Sequence, residues 1–300
     1  MDFNHIALVG LGLIASSIAL NIKSKKNRIK ITGYSRTKKT REEARKINFC
    51  TVCDNYEDCI KEANLVILCV PVGAMGDTME KIAPYLSKSA IVTDVGSVKE
   101  SVILEVQKKL PNGIFFVPAH PLAGTENSGP SAGFASLFEN RWCILTPSKN
   151  VPIEIIKKVK FFWEQLGSNV VEMDAKHHDL VLSVTSHAPH LIAFTMVGVA
   201  DEFSKVTNSE VINYSAAGFR DFTRLAASDP IMWRDVFLNN KDAALEILGR
   251  FTEELFTLQK AIRKKDGEYL LKYFERTRKI RRSIISAGQD TAEPNFGRKE

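Results

Sequence analysis

Three features of the sequence predict an α/β protein made of a doubly wound parallel sheet and a second, all-helical domain. Short apolar runs alternate with helical periods through the first half, a glycine-bearing turn follows the first run, and no convincing strand occurs beyond His177. The expected division is a sheet domain over residues 1–173, a helical domain over 174–288 and a loose tail over 289–300.

The runs "HIALVG", "KITGYS", "LVILCV", "AIVTDV", "IFFVPA" and "RWCILTP" are separated by segments such as "EEARKI" and "KESVILEVQKKL". Apolar residues on both faces mark parallel strands covered by helices on each side, so a doubly wound sheet follows. After "PSKNVP", Ile156, Val159, Phe162, Trp163 and Leu166 recur at helical spacing, Gly167 supplies a C-cap, and "NVVEM" reads as the last strand. The segments "DLVLSVTSHAPHLIAFTMVGVADEF", "DAALEILGRFTEELFTLQKAI" and "YLLKYFERTRKIRRSII" are long helical patterns. The first is apolar most of the way round and must be buried in a bundle or a subunit interface, so a homodimer sharing the helical domains is expected.

With 300 residues, 44% hydrophobic and 25% charged, the chain can bury a substantial core. The start "MDFNHIALVGLG" lacks the basic flank and apolar run of a signal peptide, and "LVILCVPVGAM", taken as the longest apolar stretch, is too short for a bilayer. A cytoplasmic protein without a membrane partner is expected. Five scattered cysteines do not resemble a disulfide framework, and Cys50-x-x-Cys53 lacks the second pair that zinc needs, so reduced thiols and no metal are expected. The net charge of +6 is spread over runs such as "KSKKNRIK" and "RTRKIRR" with few interleaved aromatics. These read as solvated helix faces rather than a nucleic-acid surface, and a positive field also attracts small anionic substrates.

In "HIALVGLGLIASSIALNI", Gly10-x-Gly12-x-x-Ala15 follows a strand and opens a helix. Gly10 permits the tight turn, Gly12 lets backbone amides approach a pyrophosphate, and Ala15 allows close helix packing, with Leu13 and Ile14 between them in the cofactor-binding turn. This is the Rossmann signature. Val70 and Pro71, ending the "LVILCV" run, are further cofactor-binding candidates. Where an NAD-binding domain places an acidic residue at the end of its second strand, this chain has Ser35, Arg36 and Thr37. A hydroxyl and a guanidinium suit a 2′-phosphate, so NADP is favoured over NAD.

"TDVGSVKES" places Ser97 at the carboxyl edge of a strand, either as a ligand contact or as a capping box with Glu100. In "SHAPHLIAF", Ser186 reads as an N-cap with Pro189 in the first turn, which sets His187 and His190 three apart at a positive helix end. Neutral histidines there would orient a substrate. "GFRDFTRLAASDPIMW" sets Arg220 and Arg224 four apart beside Asp221, with Trp233 following. Arg220 more naturally takes the internal carboxylate, leaving Arg224 for a substrate anion. "PAHPLAGTENSG" leaves an apolar run through dense turn chemistry, with His120 at the exit.

The ordered motifs "GLGLIAS", "DVGSVK", "HPLAGTENSG", "SHAPH" and "GFRDFTRLAASDPIMWRD" span nearly the whole chain, which resembles the prephenate/arogenate dehydrogenase family, the cyclohexadienyl dehydrogenases of tyrosine biosynthesis. The resemblance implies an NAD(P)-binding domain, a helical dimerisation domain, and oxidative decarboxylation of prephenate or arogenate. It implies His120 as catalytic base, Ser97 as the hydroxyl beside it, Arg224 as the carboxylate-binding arginine and His190 as the second active-site histidine. Ser186, His187, Glu126 and Trp233 are weaker pocket candidates. Two rival readings are a β-hydroxyacid-type dehydrogenase, which needs a catalytic lysine that no marked motif here offers, and a non-catalytic NADP(H)-sensing module.

Overall fold

The computed structural model describes residues 2–25, 28–125, 127–204 and 214–286. Six strands, β1 (His5–Val9), β2 (Lys30–Tyr34), β3 (Thr51–Val52), β4 (Leu65–Leu68), β5 (Ile91–Asp94) and β6 (Phe115–Val117), form a wholly parallel sheet. Its order, β3-β2-β1-β4-β5-β6, is that of a Rossmann fold. Alternation along β1 covers both faces. Ile6 and Leu8 join a cluster with Ile18 and Ile22 of α1 (Leu13–Ser24) and Phe162 and Trp163 of α6 (Ile153–Gln165). Ala7 and Val9 join the opposite cluster with Ile60 of α3 (Tyr56–Ile60), Met79 of α4 (Met75–Ile82) and Val102 of α5 (Glu100–Gln107). The remaining sheet helix, α2 (Lys38–Ile47), follows β2.

Composition reads "IFFVPA" as one strand and continues the same strand series through "RWCILTP" and "NVVEM". The structure instead breaks the run at Pro118 and builds a second, three-stranded sheet from β7 (Ala119–Pro121), β8 (Trp142–Leu145) and β9 (Asn169–Glu172). Here β7 is antiparallel to β8, and β8 is parallel to β9. Pro118 has no N–H to give to a ladder, so pairing with β5 stops there. Its carbonyl accepts from the Thr146 amide (3.0 Å), the first bond of the new sheet. His120 therefore sits within a short strand beside the end of β5, and not on a loose loop.

The helical region opens with α7 (Ala175–Leu182), a π turn (Ser183–His187) and α8 (Ala188–Ser204) in one continuous run. A helix start at Ser186 is not present: Ser186 lies inside the π turn, so no positive helix end faces His187 or His190. Pro189 explains the widened turn, because it lacks an amide and its ring crowds the carbonyl four residues earlier. The Ala188 amide accordingly donates to Ser183, five residues back. The helix Ala175–Phe203 contains an 18-residue window of mean hydropathy 1.4, long and apolar enough to cross a membrane by composition and longer than "LVILCVPVGAM". Its first turns carry His178 and Asp179, which bond to His120 of β7 and to the Glu100 amide of α5.

Further on come Ala217–Thr223, a 3₁₀ turn Arg224–Ala227, Pro230–Asn239, Lys241–Lys264 and Gly267–Ser286. Asp229 caps the third of these, accepting from the Met232 amide (2.9 Å), with Pro230 at the first helical position. Packing divides the chain into two compact units, Met1–Ala244 and Leu245–Glu300, a different place from the compositional boundary at Met173. Within the first unit, α8 exposes Met196, Val197, Val199 and Phe203 rather than burying its whole circumference. The expected loose tail and Glu126 lie outside the described residues.

Candidate active site

At the carboxyl edge of the sheet, Gly10 adopts φ +101°, and a Cβ there would stand 2.3 Å from the Cys69 carbonyl oxygen, so only glycine fits the turn. Its amide donates to the Tyr34 carbonyl (2.8 Å). Gly12 is the N-cap of α1, with open space where a Cβ would point and no side chain capping the helix. Leu13 and Ile14 form the first turn and are partly buried, while Ala15 is fully buried against the sheet. These residues fit a nucleotide pyrophosphate held by backbone amides. Val70 packs beside Gly10, and Pro71 is exposed ahead of a short 3₁₀ turn.

At the end of β2, the Arg41 guanidinium donates to the carbonyls of Ser35 (2.7 Å) and Arg36 (3.0 Å) and lies over the Tyr34 ring. The Thr37 hydroxyl is committed to capping α2, accepting from the Thr40 amide (3.3 Å). Arg36 is exposed and Ser35 half-buried on this fixed turn.

Around His120 the structure builds a buried polar core. Asp94 ends β5, and Lys99 precedes α5; both side chains are fully buried and form an ion pair. Lys99 Nζ also donates to the Ala119 carbonyl (2.8 Å), and the Ala119 amide donates to Asp94 Oδ1 (3.1 Å). Both polar backbone groups of the residue before His120 are thus clamped. Asp179 of α7 accepts from the amides of Lys99 (2.8 Å) and Glu100 (2.9 Å). That carboxylate replaces the expected capping box: α5 starts at Glu100 without a side-chain cap, and the Ser97 hydroxyl takes no part in it.

Asp179 Oδ1 also lies 2.8 Å from His178 Nδ1, and His178 Nε2 lies 2.8 Å from His120 Nδ1. A carboxylate only accepts, so His178 Nδ1 carries the proton and its Nε2 accepts. His120 Nδ1 must then donate, which leaves His120 Nε2 as an open lone pair. Burial, then the neighbouring His178, Lys99 and His187, hold the His120 pKa well below 6.5, so the ring is neutral and able to accept a proton.

His187 accepts from Asn240 Nδ2 (3.1 Å) at Nδ1, while its buried Nε2 has no hydrogen-bond partner among the described residues. His190 donates from Nδ1 to the Ser186 carbonyl (2.9 Å), leaving Nε2 to accept, and stacks on Trp233 at 3.7 Å. Trp233 is buried; it is the platform under His190 rather than an open pocket wall. Burial first, opposed by the Ser186 bond and reinforced by the Arg224 charge, lowers the His190 pKa. Arg224 is half-buried on its 3₁₀ turn, which packs on α8, whereas Arg220 is exposed and not enclosed in an apolar domain. The residues that sequence reasoning missed are Asp94, Lys99, His178, Asp179 and Asn240. Among the described residues no cluster of His, Cys, Asp and Glu has a metal-binding arrangement.

These histidines predict an acid limit to stability. Burial pushes His187 down to about 4. Below pH 6.5 the unfolded chain takes up a proton there that the folded chain refuses, so stability falls as pH drops from 6.5 to about 4. His187 alone costs on the order of 3 kcal/mol over that window. Urea midpoints between pH 7 and 4 should therefore decline steeply, and a flat profile would disprove the neutral buried ring.

Residues 18–172 match the prephenate dehydrogenase nucleotide-binding domain, and residues 174–276 match the prephenate dehydrogenase dimerization domain. The cyclohexadienyl dehydrogenase of Zymomonas mobilis subsp. mobilis is 44% identical over 94% of this chain and 96% of its own. The crystal structure of A. aeolicus prephenate dehydrogenase in complex with hydroxyphenyl propionate and NAD+ superposes with a TM-score of 0.87 at 33% identity, covering 95% of this chain and 99% of that one. The Synechocystis arogenate dehydrogenase structure gives 0.75 at 26% identity, covering 93% and 99%. With a nucleotide turn, a primed histidine and both domain matches in sequence order, the chain belongs to the prephenate dehydrogenase family and is a dehydrogenase.

Proposed function

We propose that this site oxidatively decarboxylates prephenate, arogenate or both, in tyrosine biosynthesis, with NADP+ favoured over NAD+. The observation that carries the reading is the Asp179–His178–His120 chain, which fixes an unprotonated Nε2 on a buried ring. His120 takes the proton of the substrate's ring hydroxyl at that atom. The relay prevents the imidazole from rotating or changing tautomer. Ser97, half-buried on the turn between Asp94 and Lys99, offers its hydroxyl beside the reacting groups. His190, braced on Trp233, offers Nε2 to the substrate, and Arg224 binds a carboxylate; Ser186 is assigned to the pocket wall. Bound NAD(P)+ supplies the hydride acceptor, and loss of carbon dioxide with aromatisation drives the reaction.

Gly10, Gly12, Leu13, Ile14 and Ala15 would hold the pyrophosphate, with Val70 and Pro71 alongside. Ser35, Arg36 and Thr37 would face the adenosine ribose, where the exposed guanidinium of Arg36 favours a 2′-phosphate. Two copies would pair through the helical region, supported by the dimerization-domain match and the exposed apolar side chains of α8. Five free thiols support a reducing, cytoplasmic setting, and the functional division is kept at Met173.

Absorbance at 340 nm, with each substrate crossed with each cofactor, tests this reading. NAD(P)H formation is expected with at least one substrate, and faster with NADP+. A folded protein inactive in all four combinations would overturn it. Arg224→Ala should lower kcat/KM by about 10- to 100-fold, the value of a charge-assisted carboxylate contact. Arg224→Lys should recover little, because an ammonium cannot make two parallel bonds. Unchanged kinetics for Arg224→Ala would assign the clamp to another residue.

A further inference from the structure

The backbone of the turn after β2 is shaped by one residue of α2, Arg41. Its Nη1 donates to the carbonyls of Ser35 (2.7 Å) and Arg36 (3.0 Å), and its amide donates to the Thr37 carbonyl (3.2 Å). Three successive carbonyls are therefore turned onto the same residue. The peptides are trans, and across a trans peptide the N–H points opposite to the C=O. The amides of Arg36, Thr37 and Lys38 accordingly point away from Arg41, and they have no hydrogen-bond partner among the described residues.

Arg41 is itself fixed. Its guanidinium lies over the Tyr34 ring at 5.4 Å, and Tyr34 packs on Tyr56 at 4.4 Å. Its Nε lies 3.5 Å from Asp54, which Arg45 also engages at 2.6 Å. The Arg41 side chain is 15% exposed and that of Asp54 72%, so a buried brace holds a carboxylate that is open to solvent. The end of β2 lacks the acidic residue that accepts from a ribose 2′-hydroxyl, but the fold brings Asp54, just beyond β3, against the residue that shapes the turn. Its charge is matched there by two guanidiniums.

We infer that Arg41 is the positioning residue that sets the preference for a 2′-phosphate over a 2′-hydroxyl on the cofactor ribose. It acts through the turn and through Asp54. Holding the three carbonyls inward keeps their lone pairs off the open side of the turn and leaves the opposite amides as donors, beside the exposed Arg36 side chain. Holding Asp54 removes a charge that would repel a phosphate. Without Arg41 the carbonyls are free to turn, and Asp54 keeps only Arg45. Both changes oppose a phosphate, which only accepts when ionised, whereas a hydroxyl can donate to the same groups. This inference rests on the nucleotide placement and NADP+ preference proposed above.

Fluorescence titration of the full chain with NADPH and NADH, which differ only by the 2′-phosphate, tests it. Wild type should bind NADPH more tightly. Arg41→Ala should weaken NADPH by about tenfold or more, the scale of a charge-assisted hydrogen bond, with NADH within about twofold. Arg41→Lys keeps the charge without the planar fork and should fall between. Adding Asp54→Asn to Arg41→Ala should recover part of the NADPH loss, because the unmatched carboxylate is gone. Equal weakening of both cofactors would show a merely structural role and overturn the inference, as would an unchanged ratio of the two affinities in Arg41→Ala. No recovery in the double variant would overturn the route through Asp54. A wild type that binds NADH as tightly as NADPH would instead overturn the NADP+ preference, and a ratio that still shifts toward NADH in Arg41→Ala would uphold Arg41 independently of it.

Discussion

His120→Asn should lower kcat by about 10²- to 10⁴-fold, the usual worth of a positioned general base. The amide keeps a polar group within the clamp on Ala119 but cannot take up a proton. Cofactor affinity should stay within about twofold, because the pyrophosphate turn is remote from the ring in sequence and strand. The pH profile adds a second readout. Only the neutral ring is a base, so activity rises with pH through the His120 pKa. Burial and the surrounding His178, Lys99 and His187 place that acid limb below 6.5. The variant should lose the limb. Retention of turnover within about tenfold, or of an unchanged limb, would remove His120 from the proton transfer.

Lys99→Met should destabilise the fold by about 3–5 kcal/mol, the cost of leaving one member of a buried ion pair uncompensated. Asp94 would keep its bonds from the Gly96 amide (2.8 Å) and the Ala119 amide (3.1 Å), yet its charge would lie in a site with no solvent access. Replacing both partners, Lys99→Met with Asp94→Leu, should cost less than the two single changes added together, since no isolated charge remains. Denaturant unfolding followed by tryptophan fluorescence measures all three. A loss below about 1 kcal/mol for Lys99→Met would show that water reaches the pair. Because the pair also clamps Ala119, activity should fall in the single variant before the protein unfolds.

Much of this was legible in the sequence, but unevenly. The Rossmann sheet follows from strands apolar on both faces, and the cofactor turn from glycines whose roles are steric; Gly10 is required by a carbonyl 2.3 Å from the missing Cβ. His120 stood out as an imidazole leaving an apolar strand. Its partners did not. "AKHHD" reads as the solvated start of a helix, and only the direction of that helix buries His178 and Asp179 while exposing His177. Lys99 belongs to a residue type seldom buried, and its partner lies five residues earlier across a turn, at a spacing with no helical or strand meaning. The second sheet was hidden because β7 is three residues long and begins just after a proline. Helix boundaries misled at Ser186 for a similar reason: Pro189 is an excellent first-turn residue, and here it widens a helix that never stops.

The π turn has a consequence for how this chain tolerates changes in length. A regular helix advances about 100° per residue, so Asp179 and His187, eight positions apart, would diverge by about 80°. Absorbing one residue in the widened turn leaves about seven effective steps and brings the two within about 20°. Asn240 spans that alignment, donating to the Asp179 carbonyl (2.9 Å) and to His187 (3.1 Å). The turn behaves as a one-residue insertion on which the site depends. Deleting exposed Val184 would leave seven true helical steps and hold His187 within about 20° of Asp179, whereas a regular helix that kept all eight would swing it about 80° away, so the site fixes the phase of this helix rather than its length.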